Sequence, residues 1–308
     1  MPAKSWAIIY SPKEGSTSTH KRWKKIRRYM EQKGLLFDFV QSEGPGSVER
    51  LASMMTRSGY RTILVVGGDA ALNHALCGIM NTPCPDGKHP ALGVIPNGFG
   101  NDFAKYWGMT PDNYKQTIDG LIYHHTRKID VGRLRLYSHN QLENTTFFLN
   151  CANLGVAASI TNLRRRTSKL FGLKTLSYFA SAISLIFKQM NFKYHFRLSG
   201  EDVKQSAMTL CIGSAHGYGQ TPSAVPYNGQ LDLTLVSKPL PMQLFQGLWL
   251  LFTGRFLTMQ GVKVWRTSHI HFPALLHIPL SVDGRMIHET PQSLDIDILP
   301  EEIEFLIP

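Results

Sequence analysis

The chain has 308 residues, of which 43% are hydrophobic and 18% charged, the balance of a protein with a full folded core rather than a disordered chain. Its net charge of +11 excludes a strongly acidic surface and favours phosphate-bearing partners, whether nucleotides, nucleic acid or an anionic membrane. Composition does not choose among these.

The first stretch of chain alternates short β-rich runs with helical patterns. Residues 6–10 read as a strand, 20–33 as a basic helix closed by Gly34, 35–40 as a second strand and 47–57 as a helix. Residues 62–66 form a buried-type strand, followed by a glycine turn, a helix over 71–80, a strand over 91–95 and a second glycine-rich turn. This alternation implies parallel strands with crossover helices, an open Rossmann-like α/β domain over 1–132. Beyond it come strand-like runs at 133–137, 146–151, 194–198, 208–212, 231–236, 262–264, 269–272 and 277–282. Helical patterns interrupt them near 168–188 and 241–252. A mainly antiparallel β domain over 133–297 is expected. The tail, about 298–308, has the apolar character to return to the first domain.

The informative segment runs Val66-Gly67-Gly68-Asp69-Ala70-Ala71-Leu72-Asn73. It sets two glycines at the C-terminal end of a buried strand, the edge at which open α/β sheets bind ligands. Glycines let backbone amides approach a polyphosphate, and the helix that follows turns its free N–H groups toward negative charge. Asp69 suits either of two tasks: holding Mg²⁺ through water, or fixing the loop by bonds to amides. A plain strand-to-helix turn with an aspartate cap has the same residues. The design recurs in Pro96-Asn97-Gly98-Phe99-Gly100, after which Asn101-Asp102 open a helix. Two such turns on neighbouring strands are expected to form the two lips of one phosphate cleft.

These segments resemble the diacylglycerol kinase catalytic-domain family, bacterial lipid kinases related to sphingosine and ceramide kinases. Gly67 through His74 stands against the family's Gly-Gly-Asp-Gly-Thr-x-Asn-Glu, and Pro96 through Ala104 against Pro-x-Gly-Thr-x-Asn-Asp-Phe-Ala. Ile129-Asp130-Val131-Gly132, Phe148 through Gly155, Tyr218-Gly219, Pro226 through Leu233 and Val282-Asp283-Gly284 follow in the family's order. The resemblance implies transfer of the γ-phosphoryl group of ATP, with Mg²⁺, to a lipid hydroxyl such as that of diacylglycerol. It puts Ser11, Gly67, Gly68, Asp69, Ala70, Ala71, Asn73, Gly98, Phe99, Asn101 and Asp102 around the nucleotide. It makes Asp283 the base for the acceptor hydroxyl and Asn228, Gln230 and Asp232 a metal-loop region. By itself, Asp283-Gly284 reads as a hairpin turn.

Four departures stand out. Ala71 and Phe99 replace threonines, removing two hydroxyls. Arg285 replaces a glutamate beside Asp283, and Asn228 replaces an aspartate in the metal loop. Two alternatives follow: a soluble kinase of the NAD kinase type, which shares the Gly-Gly-Asp loop, or a lipid- and nucleotide-binding protein that has lost catalysis.

The basic run 163–169, followed by apolar 170–173, suits either docking on anionic lipid or a solvated loop before a core helix. Residues 21–28 read as the wet face of the first helix, with Trp23 and Ile26 toward the sheet. No nucleic-acid recognition signature accompanies either run, so no nucleic-acid partner is expected. The histidines, His124, His125, His269 and His271 among them, lack metal spacing. Cys77, Cys84, Cys151 and Cys211 are scattered, which excludes a zinc ribbon or disulfide scaffold and fits a reducing compartment. The apolar run near the start is short for a signal peptide, and 244–257 is too short and interrupted to span a bilayer. The expectation is a cytoplasmic protein, peripheral to the inner face of the membrane.

Overall fold

The computed structural model describes residues 6–12, 17–84, 87–98, 100–139, 141–160, 191–216, 220–238, 260–274, 278–289 and 291–308. The expected helices at 168–188 and 241–252, the basic run 163–169, the apolar run 244–257, Phe99 and Tyr218-Gly219 lie outside the described residues. The chain divides into two compact units, residues 1–131 with 300–308, and residues 132–299.

The first unit opens with β1 (Ala7–Tyr10), α1 (Thr17–Gln32), β2 (Asp38–Gln41), α2 (Pro45–Arg57), β3 (Thr62–Gly67), α3 (Asp69–Met80), β4 (Ala91–Pro96), α4 (Asp102–Tyr106) and α5 (Tyr114–Ile122). β1 pairs in parallel with β2 and β3, and β3 with β4. Every residue of β1, β3 and β4 is buried, the pattern of parallel strands covered on both faces. In α1 the spacing of Trp23, Ile26 and Met30 turns one stripe to the sheet, and the Trp23 ring stacks on Tyr10 with centroids 4.8 Å apart. Its remaining face is largely basic and wet. Arg22 is half-buried, and its guanidinium donates to the Asn97 amide oxygen at 3.2 Å. β2 is shorter than the apolar run suggested, because Leu35 and Phe37 pack against the core cluster of α1 before the strand begins.

The second unit carries β5 (Thr126–Ser138), β6 (Gln141–Phe148), β7 (Cys151–Gly155), β8 (Phe192–Leu198), β9 (Glu201–Ala207), β10 (Thr209–Gly213), β11 (Leu231–Val236), β12 (Val262–Thr267), β13 (His269–Phe272), β14 (Leu280–Val282), β15 (Arg285–Ile287) and β16 (Ser293–Leu306). The ends of β5 and β16 belong to the first unit. One sheet runs β12-β11-β10-β7-β14-β15, antiparallel throughout. Antiparallel pairs β16-β13-β8-β9 and β5-β6 supply the rest. The core between them gathers Leu134, Phe148, Leu154, Phe196, Leu233 and Ile270.

The run 146–151 is not one strand. It breaks after Phe148, and β7 starts at Cys151. At the close of the chain, β16 lies parallel to β4, with Phe305 opposite Leu92. The Asp130 carboxylate accepts the Glu301 N–H at 2.9 Å and so fixes the start of this final stretch.

Candidate phosphate turns and the buried aspartate

Gly67 ends β3 and Asp69 begins α3, so Gly68 is the link between strand and helix. The second turn leaves β4 at Pro96 and enters α4 at Asp102. The Asn97 N–H donates to the Gly67 carbonyl at 2.8 Å, and the Asp69 N–H to the Gly100 carbonyl at 3.0 Å. A Cβ on Gly68 would sit 2.7 Å from the Gly100 oxygen, and one on Gly98 2.6 Å from the Gly68 Cα. No side chain fits at either place. The two turns therefore abut. They form one continuous platform, not two lips separated by a gap.

The Asp69 carboxylate is the bolt of this platform. Its Oδ2 accepts the Asp102 N–H at 3.0 Å and its Oδ1 the Phe103 N–H at 3.2 Å. These are the orphan amides at the start of α4, so Asp69 caps a helix that begins more than thirty residues further along the chain. Of the two tasks open to Asp69, the structure shows the bonds to amides.

The other expected residues divide by exposure. Asn101 is buried and closes its own turn, accepting the Gly98 N–H at 3.1 Å and donating to the Gly98 carbonyl at 2.7 Å. Asn73 is fully buried within α3, its amide oxygen toward the Cys77 thiol at 3.9 Å. His74, where the family motif has glutamate, faces Glu49 of α2 at 3.4 Å. Ser11 continues the β1–β3 pairing through its N–H to Val66 at 3.0 Å. Ala70 is exposed on the first turn of α3, Ala71 is buried behind it, and Asp102 is half-exposed beside Lys105 at 3.4 Å. The surface exposed at the two turns is thus mostly backbone, the kind of surface that helix N-termini offer to anions.

Sequence reading missed Asn97. It is buried, donates to the Thr19 carbonyl at 3.1 Å, accepts from Arg22, and so ties the second turn to α1. Its place between Pro96 and Gly98 was the available signal.

In the second unit, Asp283 and Gly284 take positive φ, 44° and 79°, in the tight turn between β14 and β15. The Asp283 side chain is buried. Its Oδ2 accepts the Leu149 N–H at 2.8 Å, and its Oδ1 accepts those of Asn150 and Cys151 at 3.0 and 2.9 Å. This is why the strand breaks at 149–150: those amides face a carboxylate instead of a neighbouring strand. Arg285 donates to the Thr146 hydroxyl. Beside Asp283, burial foremost, then the Cys211 thiol and the Asp283 charge, push the Cys151 thiol well up, and Asn153 donates to its sulfur at 3.3 Å. Among the described residues Asn153 Oδ1, Ser214 Oγ and Ser281 Oγ are buried without a hydrogen-bond partner, and Ser281 and Asn153 are opposed on β14 and β7. Buried orphans of this kind call for a ligand or water. Nothing in the sequence pattern marked the two serines.

The metal-loop residues form a different arrangement from that expected. Asn228 is exposed, and its amide oxygen accepts the Gln230 N–H at 3.0 Å. Asp232 receives Arg266 in a bidentate pair at 2.6 and 3.1 Å and the Ser223 hydroxyl at 2.8 Å. A hard divalent cation needs several oxygen donors, anionic ones among them. Here the one carboxylate is already neutralised by a guanidinium. Asn228, Gln230 and Asp232 do not fit a resident metal, and no step is assigned to one. Among the described residues no group of three or more His, Cys, Asp or Glu side chains is placed to hold a metal ion.

One chain thus joins paired turns on neighbouring parallel strands to an antiparallel β unit. Residues 5–134 match the diacylglycerol kinase catalytic domain, and residues 151–307 match the YegS C-terminal NAD kinase beta sandwich-like domain. The chain belongs to the diacylglycerol kinase catalytic-domain family and is an ATP-dependent kinase. It is similar to the diacylglycerol kinase of Staphylococcus carnosus, with 23% identity over 292 residues, covering 92% of this chain and 89% of the relative. Its fold is that of a diacylglycerol kinase from Bacillus anthracis, with a TM-score of 0.65, 15% identity and 100% and 98% of the two chains covered. A yeast NADH kinase complexed with NADH shares it more distantly, with a TM-score of 0.56, 11% identity and 100% and 84% covered.

Proposed function

We propose that the protein transfers the γ-phosphoryl group of ATP to a hydroxyl of diacylglycerol or a related lipid. The observation that carries this reading is the interlocked pair of turns, which sets Gly68 and the exposed first turn of α3, at Ala70, at the edge of β3 and β4. Phosphoryl transfer asks little covalent work of a protein, so positioning and charge neutralisation suffice. Mg²⁺ enters with the nucleotide as MgATP. Gly68, Ala70, Gly98 and the half-exposed Asp102 meet it, while Asp69, Asn73 and Asn101 hold the backbone in place. The acceptor oxygen attacks the γ-phosphorus, the bond to the β–γ bridging oxygen breaks, ADP leaves, and the hydroxyl proton passes to Asp283. Asn153, Ser214 and Ser281 supply the polar partners for the acceptor. Approach to the bilayer is peripheral: Lys21, Lys24, Lys25 and Arg28 expose cations along α1, each able to add ~1 kcal/mol on an anionic surface. No helix among the described residues is long and apolar enough to cross a membrane.

A second reading, binding without transfer, is favoured by the three amides that already engage Asp283. One assay separates the readings. Purified protein is given labelled ATP, Mg²⁺ and mixed vesicles of diacylglycerol, ceramide, sphingoid base and monoacylglycerol, with NAD in a parallel tube. Labelled lipid is expected from wild type. ATP binding with no labelled lipid would sink the transfer reading, and labelled dinucleotide instead of lipid would move the protein to the NAD kinase type.

A further inference from the structure

The loop that joins α3 to β4 holds a second group of reactive side chains, away from the residues assigned to phosphate. Cys84 Sγ lies 3.2 Å from His89 Nδ1, and the opposite ring nitrogen, Nε2, lies 3.9 Å from Glu302 Oε1 on β16. Thiol, imidazole and carboxylate thus stand in line, with the ring in the middle. Because the thiol and the carboxylate meet different ring nitrogens, the three groups do not converge on a point where one metal ion could sit. The Cys84 sulfur also lies 3.6 Å from the Thr82 carbonyl. Cys84 and His89 line an open depression of ≈ 360 Å³ together with Met80, Thr82 and Gly87. Cys84 is half-buried, whereas Cys77, Cys151 and Cys211 are buried.

Most of an ordinary thiol is protonated at neutral pH, and only the thiolate attacks. A base within hydrogen-bond reach removes the proton as the sulfur reacts, and a carboxylate behind the base favours the imidazolium that results. The depression gives a small reagent access to the sulfur. We propose that Cys84 is a base-assisted nucleophilic thiol, a site of S-thiolation by small disulfides. The Cys84 sulfur attacks one sulfur of the disulfide, a mixed disulfide forms, and the old S–S bond breaks to release a thiolate. The Cys84 proton passes to His89 Nδ1 and then to the departing thiolate, so no further oxidant is required. This site is independent of the kinase reading.

The test uses the intact protein at pH 7, with a small aromatic disulfide and, separately, iodoacetamide, against a short cysteine peptide as reference. Mass mapping gives the rate at each cysteine. Cys84 is expected to react about tenfold faster than the peptide, and His89→Gln or His89→Asn to return it to the peptide rate or below. Glu302→Gln should slow it several-fold, with Glu302→Asp restoring most of the rate. The buried thiols Cys77, Cys151 and Cys211 should stay unlabelled in every variant, which certifies that each is folded. A Cys84 rate at or below that of the peptide overturns the proposal. So does an unchanged rate in folded His89→Gln, and equal rates for Glu302→Gln and wild type overturn the three-group arrangement.

Discussion

The Asp69 carboxylate meets two amides that would otherwise be orphans, so its loss acts first on the start of α4. Removing a cap of this type costs about 0.5–2 kcal/mol. Asp69→Ala is therefore expected to lower the urea midpoint and to weaken ATP binding, while Asp69→Asn, which keeps one accepting oxygen, falls between. Unfolding curves read alongside ATP titrations check both. If Asp69→Ala binds ATP as tightly as wild type, the turns do not form the nucleotide site. At Asp283 the replacement by asparagine sets an NH₂ group against one of three amide donors. A loss of about 1–3 kcal/mol in stability is expected from that unmet bond. If Asp283 also takes the acceptor's proton, Asp283→Asn lowers kcat by about 10²-fold or more while ATP affinity is unchanged. A folded variant with wild-type kcat would leave Asp283 a purely architectural residue.

At the scale of elements, the closeness of the two turns makes its own prediction. Gly68→Ala puts a methyl group against the Gly100 carbonyl and pushes the turns apart. Overpacking of this kind costs about 1–3 kcal/mol, and ATP affinity should fall with it. Nucleotide titration and thermal melting of the variant decide this. An unperturbed variant would contradict the interlock. The α/β and antiparallel classes of the two halves were legible because buried parallel strands such as 62–67 read as unbroken apolar runs and the crossover helices show a helical period. β9 was not legible: Glu201–Ala207 is mostly wet, so its alternation carries little hydrophobic contrast, and only the Ser199-Gly200 turn, at φ 47° and 87°, announced a hairpin. The break between β6 and β7 was hidden for a different reason. Residues 146–151 have strand-forming side chains, but a carboxylate far along the chain redirects their amides. The glycine motifs pointed to the turns. That one turn's aspartate caps the other's helix depends on a contact between distant segments, which local pattern does not encode.

At the scale of the whole molecule the charge is +11, yet one group of cations in the second unit is matched by a carboxylate. Arg133 and Arg135 grip Asp297 at 2.9 and 2.8 Å on the second unit's surface, and His269 lies 3.5 Å from it. Burial pushes the Asp297 carboxyl up, but the Arg133 hydrogen bond and the charges of Arg133, Arg135 and His269 outweigh it and hold it below the usual carboxylate range. Its stabilising share is present above the ordinary aspartate value near 4 and is lost as pH falls through the lower folded value. Wild type should thus exceed Asp297→Asn in urea midpoint at pH 6, and the gap should close as pH drops below about 4. A gap that stays constant to pH 2 would remove Asp297 from the acid response.

Phe305 and Leu306 are fully buried, and the Phe305 ring meets Phe103 edge-on with centroids 5.1 Å apart. Phe103 is also the residue whose amide Asp69 caps. A ribosome releases residues 300–308 only after the whole second unit has been made. During synthesis the first unit must wait, with β4 unpaired on one side and α4 lacking its aromatic support. The platform of the two turns is therefore finished among the last steps of folding, although nearly all of its residues emerge first.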